Sequence, residues 1–164
     1  MTNLKNYLEA KVNSRGNKNL NYLSSFFSET ELAILSNKTI SIVGTNGKSS
    51  TANNIAMLLK GLDKSYISFT SPHLFDYKER MTAHKDLNFN EYIQYLENFE
   101  LKNNINLGYF ESTFLIAAKA FLHNDMDYFI CEAGIGGKYD TTSVIQSKTV
   151  VLTSIGLDLS LIHI

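Results

Sequence analysis

The chain has 164 residues, of which 44% are apolar and 19% charged, and its formal net charge is −1 at pH 7. This length and composition are typical of a single globular domain with a sizeable core. The balanced charge excludes a broad basic surface for nucleic acid or an anionic membrane, and no apolar run approaches the roughly 20 residues of a membrane span.

The amino-terminal segment and the cysteine content indicate where the protein acts. Residues 1–10 lack the apolar core of a signal peptide. Cys131 is the one cysteine of the sequence, which excludes an internal disulfide and fits a reducing compartment. Because Cys131 follows an apolar run, we expect it to pack in the core. We therefore expect a cytoplasmic, monomeric protein that acts on small molecules.

Apolar periodicity predicts helices that alternate with short strands along the chain. The predicted helices cover residues 4–12, 22–35, 51–60, 90–102 and 112–123, with a polar loop at 13–19. The predicted strands cover residues 39–43, 65–69, 128–131 and 149–153. We expect Gly61 to follow the third helix as its C′ residue. This alternation favours a doubly wound, mostly parallel α/β sheet, in which ligands bind at the carboxyl ends of the strands.

A glycine-rich segment follows the first predicted strand and precedes a predicted helix. Its residues are Gly44, Thr45, Asn46, Gly47, Lys48, Ser49 and Ser50. Such a segment is typical of a phosphate-binding loop, because glycines let backbone N–H groups point at phosphate oxygens, the lysine adds a positive charge and a following hydroxyl can hold Mg²⁺. The two glycines are closer together than in the common loop. The segment predicts a nucleoside triphosphate site, with Ser49 and Ser50 both open as the hydroxyl ligand.

Three further polar or glycine-rich segments follow the other strands, at residues 70–73, 132–140 and 154–158. Ser71 and Glu132 offer oxygen atoms to a metal ion that is held by a triphosphate. The simpler interpretations are a Ser-Pro turn with an exposed histidine at 71–73 and a loop at 134–137 whose glycines only reverse the chain. Tyr109, Phe110 and Glu111 are either a helix start or a pocket rim on which a flat heterocycle stacks.

Together these segments resemble the N-terminal ATPase domain of the folylpolyglutamate synthase/dihydrofolate synthase family, in the Mur-ligase-like superfamily. The resemblance covers roughly residues 4–158, and the matching segments occur in the family's order. They are residues 43–48 with Ser50, 70–74 with Glu79 and Arg80, 109–111, 132–140 and 153–158. The implied fold is a Mur-ligase-like α/β domain with a phosphate-binding loop.

The resemblance also implies an activity and a set of site residues. Enzymes of this family use ATP and Mg²⁺ to phosphorylate the carboxylate of dihydropteroate or a folate, and the amine of L-glutamate then attacks the acyl phosphate. Residues 44–50 would bind ATP, Lys48 and Glu132 would be catalytic, and Ser71 and Glu132 would bind Mg²⁺. The substrate would lie against Gly108, Tyr109, Phe110, Glu111, Tyr139, Asp140 and Thr141.

Several positions depart from the family pattern. The family usually has glycine at the position of Ser49, and a serine there is more like the cell-wall Mur ligases. Lys138 replaces a usual arginine, which keeps the charge but loses the fork geometry. Residues 141–143 read Thr-Thr-Ser rather than Ala-Thr-Asn. A Mur ligase and a non-catalytic nucleotide-binding module are therefore alternatives. The addition of the first glutamate, of later ones, or of both is also open.

The family pattern continues from Gly-Leu-Asp into a metal-binding histidine, whereas here Asp158 is followed by Leu-Ser-Leu-Ile-His-Ile. The codons CTG TCT CTT ATA CAC ATC, those of a transposon-end sequencing adapter, encode this hexapeptide. We interpret residues 1–158 as the N-terminal part of the ATP-binding domain and 159–164 as a non-native tail, with the C-terminal domain absent. His163 has the wrong spacing to be the missing ligand. We expect the chain alone to bind nucleotide weakly and to be inactive as a ligase.

Overall fold

The computed structural model describes residues 3–12, 20–135 and 137–156. The helices are α1 (Leu4–Lys11), α2 (Leu20–Ser24), α3 (Glu29–Lys38), α4 (Lys48–Gly61), α5 (Ile93–Asn103) and α6 (Tyr109–His123). The strands are β1 (Thr39–Val43), β2 (Tyr66–Phe69), β3 (Met81–Ala83), β4 (Tyr128–Glu132) and β5 (Thr149–Leu152). Short 3₁₀ turns cover Tyr77–Arg80, Phe89–Tyr92 and Thr141–Val144. The predicted loop at 13–19, Gly136 and the predicted tail at 159–164 lie outside the described residues.

The five strands form one sheet in the order β3-β2-β4-β1-β5. All neighbouring pairs are parallel except β2 and β3, which are antiparallel. In this register Ile42 pairs with Glu132, and Phe69 pairs with Cys131. The carboxyl ends of the parallel strands therefore meet at one edge of the sheet. The predicted doubly wound, mostly parallel α/β fold is confirmed.

Helices cover both faces of the sheet, because neighbouring residues of the central strand point to opposite sides. Ile130 packs under α4 in a cluster with Ile42, Ala52, Ala56, Leu59 and Tyr66. Phe129 and Cys131 face the larger core, which is built around α6 and contains Cys131 as expected. In the described ranges, none of the helices has both the length and the apolar character needed to cross a membrane.

Several predicted helices differ from those in the structure. The one at 90–102 begins with the 3₁₀ turn Phe89–Tyr92 and continues as α5. The predicted helix at 22–35 is two helices, because Ser28 begins α3 with a capping box: its hydroxyl accepts from the Glu31 N–H, and the Glu31 carboxylate accepts from the Ser28 N–H. The helix predicted at 51–60 begins three residues earlier, at Lys48, and Gly61 is its last residue rather than its C′ residue. The left-handed conformation expected at Gly61 occurs at Asp63, with φ of 54°.

Three further boundaries bear on the site. Helix α6 begins at Tyr109 rather than at residue 112, so the segment 109–111 is its first turn, as the simpler interpretation proposed. Strand β4 extends one residue further than predicted, to Glu132. Strand β3 has three residues and was not predicted, because a strand this short leaves little periodicity to detect.

Candidate active site

The loop between β1 and α4 depends on two glycines with positive φ. Gly44 has φ of 139° and Gly47 has φ of 81°. A Cβ atom at Gly44 would lie 2.2 Å from Thr153 Oγ1 and 2.8 Å from the Ser154 carbonyl oxygen. Gly47 starts α4 in the left-handed conformation, and nothing lies within 4 Å of a Cβ placed there. Gly44 is therefore required by both conformation and space, and Gly47 by conformation alone.

The first half of the loop is bonded to the segment that follows β5. The Thr45 N–H donates to the Ser154 carbonyl at 2.7 Å, and the Ser154 hydroxyl contacts both the N–H and the carbonyl of Asn46 at 3.2 and 3.1 Å. The Thr45 hydroxyl donates to the Gly156 carbonyl at 3.1 Å and accepts from the Gly156 N–H at 3.0 Å. The main-chain N–H groups of Thr45 and Asn46 therefore donate to Ser154 and fix the shape of the loop, and the predicted contact of these residues with ATP stays a prediction.

The second half of the loop supplies the donors that an anion requires. Lys48, Ser49 and Ser50 form the first turn of α4, whose N–H groups have no partner within the helix, and Gly47 provides no side-chain cap. The Lys48 ammonium donates to the carbonyls of Gly44 and Thr45 at 2.9 and 3.3 Å. An ammonium has three donors. This arrangement therefore holds the lysine over the loop and leaves one donor for a ligand.

Glu132, at the end of β4, is the centre of the site and is only 1% exposed. The Ser49 hydroxyl lies 2.9 Å from each of its carboxylate oxygens. The Ser71 N–H donates to Oε2 at 3.0 Å, and the Ser71–Pro72 peptide bond is cis. Ser50 is exposed and makes no contact with Glu132 among the described hydrogen bonds. Of the two candidate serines, Ser49 is therefore the one that faces the carboxylate.

Burial raises the pKa of Glu132 above its ordinary value. The Ser71 N–H, the Ser49 hydroxyl and the charges of Lys48 and Arg80 offset this in part. A cation next to the carboxylate would stabilise its charged form.

The donor set suits Mg²⁺, because Glu132, Ser49 and Ser71 offer only oxygen ligands, and Mg²⁺ is usually held by one or two carboxylates together with substrate phosphates. The described residues contain no group of three or more His, Cys, Asp and Glu side chains placed to hold a metal ion. Mg²⁺ usually completes its coordination with substrate phosphates and water.

The loop between β2 and β3 contains interactions that the sequence did not predict. The Glu79 carboxylate accepts the N–H groups of Leu74, Phe75 and Asp76 at 2.7–2.9 Å. The Arg80 Nε donates to His73 Nδ1 at 2.7 Å. His73 is half-buried, so its interpretation as an exposed residue was wrong. The one sequence signal for these roles was the Glu79-Arg80 pair in the matched segment.

The structure separates the predicted substrate residues into two groups. Gly108 is the N-cap of α6, Tyr109 lies under the Arg80 guanidinium, and the Phe110 ring packs on Phe69 with ring centroids 5.3 Å apart. Glu111, 4% exposed, lies in the same helical turn. The Tyr139 side chain is 82% exposed, and the ring contact that it makes is to Lys138. Phe110 also lies near Gly134 in the glycine-rich loop.

Asp140 is occupied within its own loop. One carboxylate oxygen accepts from the N–H groups of Gly134 and Ile135 at 3.2 and 3.3 Å. The other accepts from the N–H and hydroxyl of Thr142 at 3.0 and 2.6 Å, and Thr141 is the buried first residue of the turn that Asp140 caps. Asp140 therefore shapes the glycine-rich loop beside Phe110, a role that its predicted contact with substrate did not include.

Comparison with known proteins identifies the chain. No protein-family model matches it. It is 36% identical over 160 residues to the dihydrofolate synthase/folylpolyglutamate synthase of Buchnera aphidicola subsp. Schizaphis graminum. The matched region covers 93% of this chain and 37% of that protein. The structure matches Escherichia coli FolC in complex with DHPP and ADP with a TM-score of 0.79 and 28% identity, over 94% of this chain and 38% of that one. The chain belongs to the dihydrofolate synthase/folylpolyglutamate synthase family.

A second solved relative of this family is a bifunctional folylpolyglutamate synthase/dihydrofolate synthase with Mn, AMPPNP and L-glutamate bound. The TM-score is 0.75 at 30% identity, over 93% of this chain and 37% of that one. The chain thus spans a little over a third of the length of the relatives it matches. The described sheet, with its phosphate-binding loop at the end of β1, is the Mur-ligase-like fold of these synthases.

The two loop glycines predict different stabilities for matched variants. Gly47→Ala adds only backbone strain, about 1–2 kcal/mol. Gly44→Ala adds strain and a contact with Thr153 and Ser154 that must be relieved by movement, so we expect it to cost about 3 kcal/mol or more. Urea denaturation of both variants checks this. Equal losses of stability would contradict the described packing of Gly44.

We expect Glu132 and Glu79 to change the stability of the fold with pH in opposite directions, in buffer with EDTA. The folded-state pKa of Glu132 is raised, so its contribution to stability is full below the ordinary value of 4.5 and is lost as the pH rises through the folded pKa. The pKa of Glu79 is lowered by the N–H groups of Leu74, Asp76 and Phe75, so its contribution is present above 4.5 and is lost as the pH falls through the folded pKa.

We therefore expect Glu132→Gln to melt at a higher temperature than the native sequence at pH 7.5, and the difference to disappear near pH 4. Glu79→Gln should melt lower at pH 7.5 and converge with the native sequence in acid. Thermal melts from pH 2 to pH 8 measure both. A Glu132→Gln variant that is less stable at pH 7.5 would show that the hydrogen bonds outweigh burial.

Proposed function

We propose that the chain is the ATP- and Mg²⁺-binding part of an enzyme that joins L-glutamate to dihydropteroate, to folates, or to both. One observation carries the proposal: the Glu132 carboxylate, the Ser49 hydroxyl and the Ser71 N–H meet beside the first turn of α4 and Lys48. The names of the relatives support the reaction, and the solved relatives bound to ADP or AMPPNP support the nucleotide.

The reaction needs activation because a carboxylate is a poor electrophile. A carboxylate oxygen of the folate or pteroate attacks the γ-phosphorus of ATP, and ADP leaves. The amine nitrogen of glutamate then attacks the acyl carbon of this acyl phosphate. Inorganic phosphate leaves, the nitrogen loses a proton, and an amide forms. The protein's contribution to such steps is mainly positioning and charge neutralisation.

In this proposal the residues have separate roles. The N–H groups of residues 48–50 and the Lys48 ammonium hold the phosphates, while Thr45 and Asn46 keep the loop in shape. Glu132, Ser49 and Ser71 would hold Mg²⁺, which neutralises phosphate charge when it is bound. Tyr109, Phe110 and the loop shaped by Asp140 form the side of the site where the carboxylic acid substrate binds. The cytoplasmic location and the monomeric state stay predictions.

The serine pair tests the metal site. We expect Ser49→Ala to weaken the Mg²⁺-dependent part of AMPPNP binding about tenfold, because it removes an oxygen next to Glu132. Ser50→Ala keeps the backbone N–H and alters an exposed side chain, so we expect less than a twofold change in Kd. Isothermal titration with Mg²⁺ and with EDTA separates the two contributions. A larger loss with Ser50→Ala would assign the hydroxyl role to Ser50.

Ligand selectivity tests the proposed reaction class. With Mg²⁺ and AMPPNP present, we expect dihydropteroate or tetrahydrofolate to raise the melting temperature of the chain, and a UDP-muramyl precursor to have no effect. The reverse pattern would favour a Mur ligase. Absence of nucleotide binding in the presence of Mg²⁺ would refute the proposed function as a whole.

A further inference from the structure

Arg80 lies at the edge of the site, and none of the predicted roles uses it. It is the last residue of the loop between β2 and β3, and its carbonyl accepts the Thr70 N–H at 2.9 Å. Ser71, which follows Thr70, donates its N–H to Glu132. The main chain therefore places Arg80 and Ser71 at the same end of the antiparallel pair, beside the buried carboxylate.

The Arg80 guanidinium is held in one orientation by two aromatic side chains. Its Nε donates to His73 Nδ1 at 2.7 Å, and its Cζ lies 5.0 Å from the centre of the Tyr109 ring. His73 thus acts as the acceptor in this hydrogen bond. The His73 and Tyr109 rings are themselves neighbours, with centroids 6.0 Å apart, so the guanidinium contacts one continuous aromatic surface.

The remaining donors of Arg80 have no partner in residues 3–12, 20–135 and 137–156. A guanidinium carries five N–H donors, and the described hydrogen bond uses only the one on Nε. No carboxylate in these ranges lies within ion-pair distance of Arg80, although the side chain is half-buried. A half-buried charge without an ion pair is costly, so the arrangement favours a ligand anion.

The electrostatics agree with this placement. Burial lowers the pKa of Arg80, and the neighbouring Tyr109 and Glu132 raise it in part. Arg80 in turn lowers the pKa of Glu132. The two groups therefore act on each other without forming an ion pair, which leaves the guanidinium fork available to a second carboxylate or a phosphate.

A cavity beside this pair of aromatic residues indicates which anion fits. It has a volume of about 290 Å³ and lies between α1 and the β2–β3 loop. Its lining combines aromatic and aliphatic side chains with charged ones: His73, Tyr109, Phe75, Tyr77, Leu8 and Val12, together with Lys5, Glu9 and Asp76; Arg80 lies beside the cavity, next to His73 and Tyr109. The aromatic and aliphatic part of this lining suits the uncharged body of an organic acid, whereas the carboxylates of Glu9 and Asp76 disfavour a triphosphate in the cavity. The phosphates already have Lys48 and the first turn of α4.

We propose that Arg80 binds the carboxylate of the acid substrate through its two Nη groups, while His73 and Tyr109 hold the guanidinium in place. This inference rests on the proposed function and extends it, because it names the residue that brings the reacting carboxylate to the phosphates. Arginine suits this task because its planar fork matches the two oxygens of a carboxylate.

Chemical modification tests the proposal without a substitution. The sequence contains two arginines, Arg15 and Arg80, so phenylglyoxal adducts can be assigned to each by peptide mass spectrometry. With Mg²⁺ and ADP present, we expect pteroate to protect Arg80 and a pterin without a carboxylate to give no protection. Protection by AMPPNP alone would reassign Arg80 to the γ-phosphate and overturn the proposal.

Substitution gives an independent measurement. We expect Arg80→Met to weaken pteroate binding about 10- to 100-fold, because a hydrogen-bonded charge is lost. The Kd of Arg80→Lys for pteroate should fall between those of the native chain and Arg80→Met, because lysine keeps the charge without the fork. Lys78→Met removes an exposed charge from the same turn and should change the Kd for pteroate less than twofold. The Kd for ADP should stay unchanged in all three variants.

The outcomes separate this inference from the proposed function. If the native chain binds Mg²⁺ and ADP but pteroate neither protects Arg80 nor responds to Arg80→Met, the inference alone is wrong. If the native chain does not bind nucleotide, the proposed function fails and the inference fails with it. A uniform loss of ADP and pteroate binding in Arg80→Met, with a lower melting temperature, would assign Arg80 a purely structural role and overturn the inference.

Discussion

The structure of this site depends on a carboxylate that is buried at the end of the central strand. Removing a charged group from water costs several kcal/mol, and each hydrogen bond to it recovers about 1.5–3 kcal/mol. Glu132 receives these bonds from Ser49 at the start of α4 and from Ser71 after β2. The burial of one charge therefore brings the first turn of a helix and the loop after a neighbouring strand to a common point. Burial raises the pKa of Glu132, and the bonds from Ser71 and Ser49 offset that rise in part.

Parallel strands explain why so much of the fold could be predicted from the sequence. Strands that are covered on both faces are short apolar runs, and β1 occurs at the predicted residues 39–43. Elements defined by side-chain hydrogen bonds were harder to place. The capping box of Ser28 and Glu31 divides one predicted helix into two, although the Ser-x-x-Glu pattern was present in the sequence. Strand β3 is too short for periodicity to reveal.

The same distinction applies to the candidate site. Strand topology alone brings the ends of β1, β2 and β4 together, so Lys48, Ser71 and Glu132 could be grouped from the sequence. The partners of individual side chains could not, because they depend on loop conformation. Periodicity and spacing do not predict that Asp140 bonds within its own loop, or that Arg80 contacts two aromatic rings. Coordinates were also needed to show that Ser49, rather than Ser50, contacts Glu132, since both serines follow the lysine.

The bonds between the phosphate-binding loop and residues 154–156 connect the loop to β5, the strand at one edge of the sheet. Thr45 and Asn46 are held by Ser154 and Gly156, which directly follow β5, the strand at the end of the sheet. If an anion selects the bonded shape of the loop, it also opposes fraying of that strand. The two equilibria are then linked, and the linkage is reciprocal. A group that binds the outer side of β5 and stabilises it would strengthen nucleotide binding, and the nucleotide would strengthen the binding of that group by the same free energy.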